Sequence, residues 1–179
     1  MADVLDINIF KVKAAAERAF APWRKRFGES FNLESRLIDL SDEVICFLAE
    51  TGEETDLAFY ELILGALNMG KGPKFYYMEG RVRLMVIDIH LFLVDQVRFE
   101  CMRRLGWLES FPGARYPIIY MVLNYKRLEG EFRNSTPQLA RNQPDYVRFQ
   151  ELPPVERESL IRRKIPLALI EFKKRLKSE

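Results

Sequence analysis

The chain has 179 residues and a mass of 21.1 kDa; 48% of it is apolar, 30% is charged and its net charge is +2. That length and composition suit one folded domain with a substantial core, and exclude a disordered or low-complexity chain. No uncharged apolar run approaches the ~18 residues needed to cross a bilayer, so a membrane span is not expected. The longest apolar stretch, Leu84 to Val94, is interrupted by Asp88 and His90.

The first residues, MADVLDINIF, lack the basic start and apolar centre of a secretion signal. From Ile7 to Arg26 strong helix formers around AAAERA predict a helix, with Pro22 placed to kink or end it near Ala21. Gly28 to Asn32 reads as a turn, with Asn32 as N-cap of the next helix. Leu33, Leu37, Leu40, Val44, Phe47 and Leu48 recur at steps of four and three, which predicts one continuous helix stopped by Thr51-Gly52. A third helix is predicted over Glu54 to Met69, with acids in its first turn and Gly70-Lys71-Gly72-Pro73 after it.

The next segment, Arg81 to Trp107, is the most informative. It is apolar on more than one helical face, yet contains Asp88, His90, Asp95 and Arg98. A helix of that kind must be surrounded by other helices. The expected fold is therefore all-α: a single-domain bundle, residues 1–179, of six or seven helices around a long central helix at about 81–105.

A turn at Leu108 to Arg115 separates it from a helix with inward positions Ile118, Met121, Tyr125, Leu128 and Phe132. Asn134 to Gln143 forms the longest polar connection. Pro144 opens a short helix, and Pro153-Pro154 starts the last one, inward at Ile161, Ile165, Ala168, Phe172 and Leu176. Pro166 should bend or divide it.

Function is far less legible than fold. GALNMGKG, Gly65 to Gly72, spells a phosphate-loop pattern. However, it follows a helix, has Gly72 where Ser or Thr should bind a metal, and is followed by Pro73. It is a chance match. His90 is the only histidine, and the positions three and four residues away on its face are aliphatic. A core histidine partnered from another helix is expected there, and no metal or other cofactor.

Asp88 and Asp95 share one helix face about 10 Å apart, and Arg98 continues the stripe. They could form an interhelical ion-pair network, with Arg127 of the following helix as partner, or the floor of a pocket. Arg103, Arg104, Trp107 and Arg115 gather around one turn, where arginine beside aromatic rings suits an anion. The same residues also fit a helix C-terminus capped by Gly106, with Trp107 packed behind it.

Residues 1–70 carry 7 Lys and Arg against 13 Asp and Glu, whereas residues 71–179 carry 21 against 13. Intramolecular pairing, self-association or an anionic partner would each account for that asymmetry. Cys46 and Cys101 have no CxxC neighbour, which suits free thiols in a reducing cytoplasm. Three functional readings follow. The first is a non-enzymatic module that binds a protein partner or itself. The second binds an anionic ligand or nucleic acid at Arg98, Arg103, Arg104 and Arg115, although no nucleic-acid-reading motif is present. The third is an enzyme using Asp88, Asp95 and Arg98.

Overall fold

The computed structural model describes residues 2–178, with side-chain environments over 9–178. Met1, the start of the segment read as lacking a secretion signal, lies outside them. The architecture is all-α. Its helices are α1 (Ala2–Phe27), α2 (Asp42–Ala49), α3 (Glu53–Ala66), α4 (Gly80–Arg104), α5 (Ile118–Leu123), α6 (Tyr125–Arg133), α7 (Tyr146–Glu151) and α8 (Pro154–Ser178). Three 3₁₀ turns and a two-stranded antiparallel ladder, β1 (Leu108–Ser110) with β2 (Gln138–Leu139), complete it. The ladder was not foreseen. It ties the turn after α4 to the long polar connection, and Ala140 donates its amide to the Trp107 carbonyl at 2.9 Å.

The central helix stands where the periodicity placed it, packed by α2, α3, α8 and β1. One apolar cluster runs from Ala16 to Phe172 and draws side chains from every α-helix. Its aromatic end is built by Phe20, Trp23 and Phe31, whose rings lie 5.4–5.7 Å apart. The Trp23 indole is held by a 2.8 Å bond to the Ala58 carbonyl. No helix among the described residues is long and apolar enough to cross a membrane.

Pro22 and Pro166 divide nothing, because α1 and α8 run through them. At Pro22 the freed carbonyl is that of Arg18, and α3 approaches it closely. A Cβ on Gly65 would stand 2.7 Å from that oxygen, while the Arg18 Nε donates to the Gly65 carbonyl at 3.0 Å. Gly65 is thus a packing glycine near the end of a helix, and the phosphate-loop pattern has no structural counterpart.

The continuous helix expected from Leu33 does not form. Asn32 Oδ1 accepts the Glu34 amide at 2.8 Å and Asp39 Oδ2 accepts the Arg36 amide at 3.0 Å, local bonds that compete with a helical ladder. Regular helix begins only after Ser41, whose hydroxyl caps Val44 N. Gly52 does not end that helix; with φ 150° it is the residue that starts α3. The helix expected over Ile118 to Phe132 is broken at Asn124, whose Nδ2 donates to the Tyr120 carbonyl at 3.0 Å. That break brings the number of α-helices to eight among the described residues.

Candidate functional site

The residues singled out on α4 do not meet in one place. Arg98 turns toward α2 and donates to the Ala49 carbonyl at 3.2 Å, at a helix C-terminus that favours a cation. Arg104 is spent on four protein acceptors. It reaches Glu100 and Asp42 at 2.8 Å each, and the carbonyls of Leu37 and Leu40 at 3.1 and 2.6 Å. Arg103 forks onto Glu100 at 2.6 and 2.8 Å. Glu100 has no exposed surface and is neutralised by two guanidiniums.

The Glu-x-x-Arg-Arg spacing carried that signal, and sequence reasoning passed over it. Gly106 (φ +79°) caps α4, with Trp107 N bonded to the Met102 carbonyl at 2.9 Å. Arg115 belongs to a different cleft with Tyr116, Glu131 and Phe132, which none of Arg103, Arg104 or Trp107 lines.

Asp88 and Asp95 do share a cleft, of about 400 Å³, between α4, α6 and the start of α8. The partner of Asp95 is not Arg127 but Arg162 of α8, bound through both carboxylate oxygens at 3.0 and 2.8 Å. Arg127 instead lies over the Tyr120 ring and near Glu131. Arg162 also takes Glu158, and Glu129 pairs with Arg133. Of the four carboxylates in the cleft, Asp88 alone stands in no ion pair among the described residues.

Phe92, Tyr125 and Phe132 supply the aromatic wall, with centroids 5.6 and 5.4 Å from Phe92. Burial pushes the Tyr125 hydroxyl up to about 12, with Glu129 and Asp88 adding to it. This phenol therefore stays protonated at neutral pH. Asp88, Asp95, Glu129 and Glu158 outnumber Arg133 and Arg162, so the cleft is acidic and partly apolar.

Above the cleft α4 is not covered. Leu84 and Leu91 are 61% and 58% exposed. At 100° per residue, Leu84, Asp88, Leu91 and Asp95 fall in one stripe about 60° wide and ~16 Å long. The expectation that α4 is enclosed on every side is corrected here: one side faces solvent. His90, on another face, is buried as expected, between Phe59 and Tyr60 with ring centroids 5.0 and 5.1 Å away. Its Nε2 lies 3.6 Å from Asp56 on α3. Burial holds its pKa below the ordinary value. No group of His, Cys, Asp and Glu among the described residues is arranged to hold a metal ion.

Compared with protein-family models, with curated proteins and with solved structures, the chain finds no match.

Proposed function

We propose that this chain is a non-enzymatic protein-interaction module, and that the open stripe of α4 and the acidic cleft below it form its docking surface. The observation that carries the proposal is the exposure of Leu84 and Leu91, with Asp88 between them, on a helix whose other faces are packed from Met85 onward. Apolar side chains left out of the core along one helical stripe gain stability when a partner covers them. The unpaired Asp88 and the surrounding carboxylates select a cationic partner, because a like charge there would be repelled. The partner that fits is a helical protein segment bearing apolar and basic side chains.

The arginines on α4 support this reading over anion binding. Arg104 directs nearly all its donors at protein groups and Arg103 forks onto Glu100, whose charge offsets them, while Arg98 gives its Nε to the Ala49 carbonyl, so the three do not converge on one anion. The carboxylates support it over catalysis, since Asp95 is locked in a two-point ion pair with Arg162. A cytoplasmic setting belongs to the proposal and is supported by Cys46 and Cys101 being free thiols, Cys101 fully buried.

A labelled amphipathic helical peptide of leucine and lysine provides the test, read by fluorescence anisotropy. The wild-type chain should bind it, more weakly as salt rises. The L84E/L91E variant, whose changes are at exposed positions, should bind at least about tenfold less tightly. Equal binding by the two proteins, or none by a wild type that is monomeric, overturns the proposal.

A further inference from the structure

We infer that the segment received by the α4 stripe is α8 of a second copy of this chain, in a two-fold symmetric dimer. This rests on the reading of the α4 face given above and names its partner.

The inward face of α8, with Leu160, Ile161, Ile165, Ala168 and Phe172, is buried in the core. On the opposite side Arg163, Leu167, Ile170, Lys174 and Lys177 follow one another at steps of four, three, four and three, which places them on one stripe. Leu167 and Ile170 are 61% and 52% exposed, as open as Leu84 and Leu91. Both stripes combine two exposed apolar residues with charges: on α4 they alternate, and on α8 Leu167 and Ile170 lie together between Arg163 and Lys174. Their charges are opposite: on α4 Asp88 stands in no ion pair among the described residues, Asp95 being held by Arg162, and α8 presents an arginine and two lysines.

α8 carries eight Lys and Arg against three Asp and Glu, so it holds most of the positive excess of residues 71–179. Local bonding does not consume that charge on the stripe. Lys174 has only a 3.5 Å approach to Glu171, and Arg163 bonds the Ser159 carbonyl. The stripes are also matched in length, about 16 Å on α4 and 21 Å on α8.

Both surfaces belong to the same protomer, and a two-fold rotation satisfies both in the smallest closed assembly. If α4 of one copy meets α8 of another by a two-fold rotation, α8 of the first meets α4 of the second. Each dimer then contains the contact twice and buries Leu84, Leu91, Leu167 and Ile170 of both copies. Any rotation that failed to close would leave one stripe open at each end and build a filament.

Light scattering after size exclusion and sedimentation velocity, over a range of concentrations, read the outcome. The wild type should run at twice the 21.1 kDa chain mass. L84E/L91E and L167E/I170E should each run as a folded monomer, with unchanged circular dichroism. Mixing the two variants should restore a dimer, because one of its two contacts is then wild type on both sides; that dimer should be at least about tenfold weaker than the wild type. A monomeric wild type, a dimer that survives either variant, or a mixture that stays monomeric overturns the inference. If the wild type is monomeric but binds the leucine–lysine peptide in an α4-dependent manner, only the second-copy inference falls. If it is also silent toward the peptide, the interaction reading falls as well.

Discussion

His90 is buried against Phe59 and Tyr60, an environment that opposes the charged imidazolium; the distant Arg98 adds to the opposition and Asp56 works against it. Its folded-state pKa is depressed, so the unfolded chain takes the proton first as pH falls. The stability that His90 contributes is therefore complete above the ordinary value of 6.5 and is lost as pH falls from 6.5 through the lower folded value. About 1.4 kcal/mol attaches to every tenfold difference in proton affinity between the two states. Urea titrations of wild type and H90Q, at roughly pH 7.5 and 5.5, should show the wild type losing more stability than the variant. Parallel losses in the two proteins would refute that assignment.

Single residues also mark where sequence reasoning stops. The burial of His90 was legible, since its neighbours on the helix are aliphatic. The pairing of Asp95 was not: its partner Arg162 lies 67 residues away, and helical spacing carries no information about which helix packs alongside. Glu100 was passed over although its two arginines follow it at three and four residues. An acid within an apolar helix signals a buried network once its cations are counted along the same face.

Among the helices, α4 and the start of α3 were legible to within a residue because propensity, apolar period and terminal signals agreed, whereas α3 ends at Ala66, three residues before the expected Met69. α2 was overextended because Leu33, Leu37 and Leu40 keep a helical period while Asn32, Asp39 and Ser41 bind the backbone locally and prevent the helix. Pro22 and Pro166 misled in the opposite sense, since one missing amide does not end a helix packed along its length.

The crossing of α1 and α3 yields its own prediction. A methyl at Gly65 would lie 2.7–2.9 Å from the Arg18 carbonyl and the Ala19 backbone, none of which can swing aside. Although alanine favours a helix by about 1 kcal/mol over glycine, overpacking should outweigh that gain, leaving G65A less stable by about 1–3 kcal/mol. A urea midpoint equal to or above that of the wild type would sink this account.

For the whole molecule, the apolar cluster gives no place to divide the chain. α1 and α3 meet on one side, α4 passes through the middle and α8 returns along it. One cooperative unit is the expected outcome. The two tryptophans report on different elements of it: Trp23 within α1 and Trp107 beyond the end of α4. Urea unfolding followed by far-ultraviolet circular dichroism and by tryptophan fluorescence should give coincident transitions. Two resolved transitions would show that the chain unfolds as two units.

The guanidinium of Arg104 has a consequence for how this chain holds its longest irregular stretch. By gripping the carbonyls of Leu37 and Leu40, 67 and 64 residues earlier in the chain, it closes a large loop without a covalent bond. In the folded chain such a closure holds the two segments together, and a planar fork of donors can do so where a single ammonium could not. Because it consists of N–H···O bonds to Glu100, Asp42 and two carbonyls and contains no sulfur, this tie is not one that a reductant can cleave.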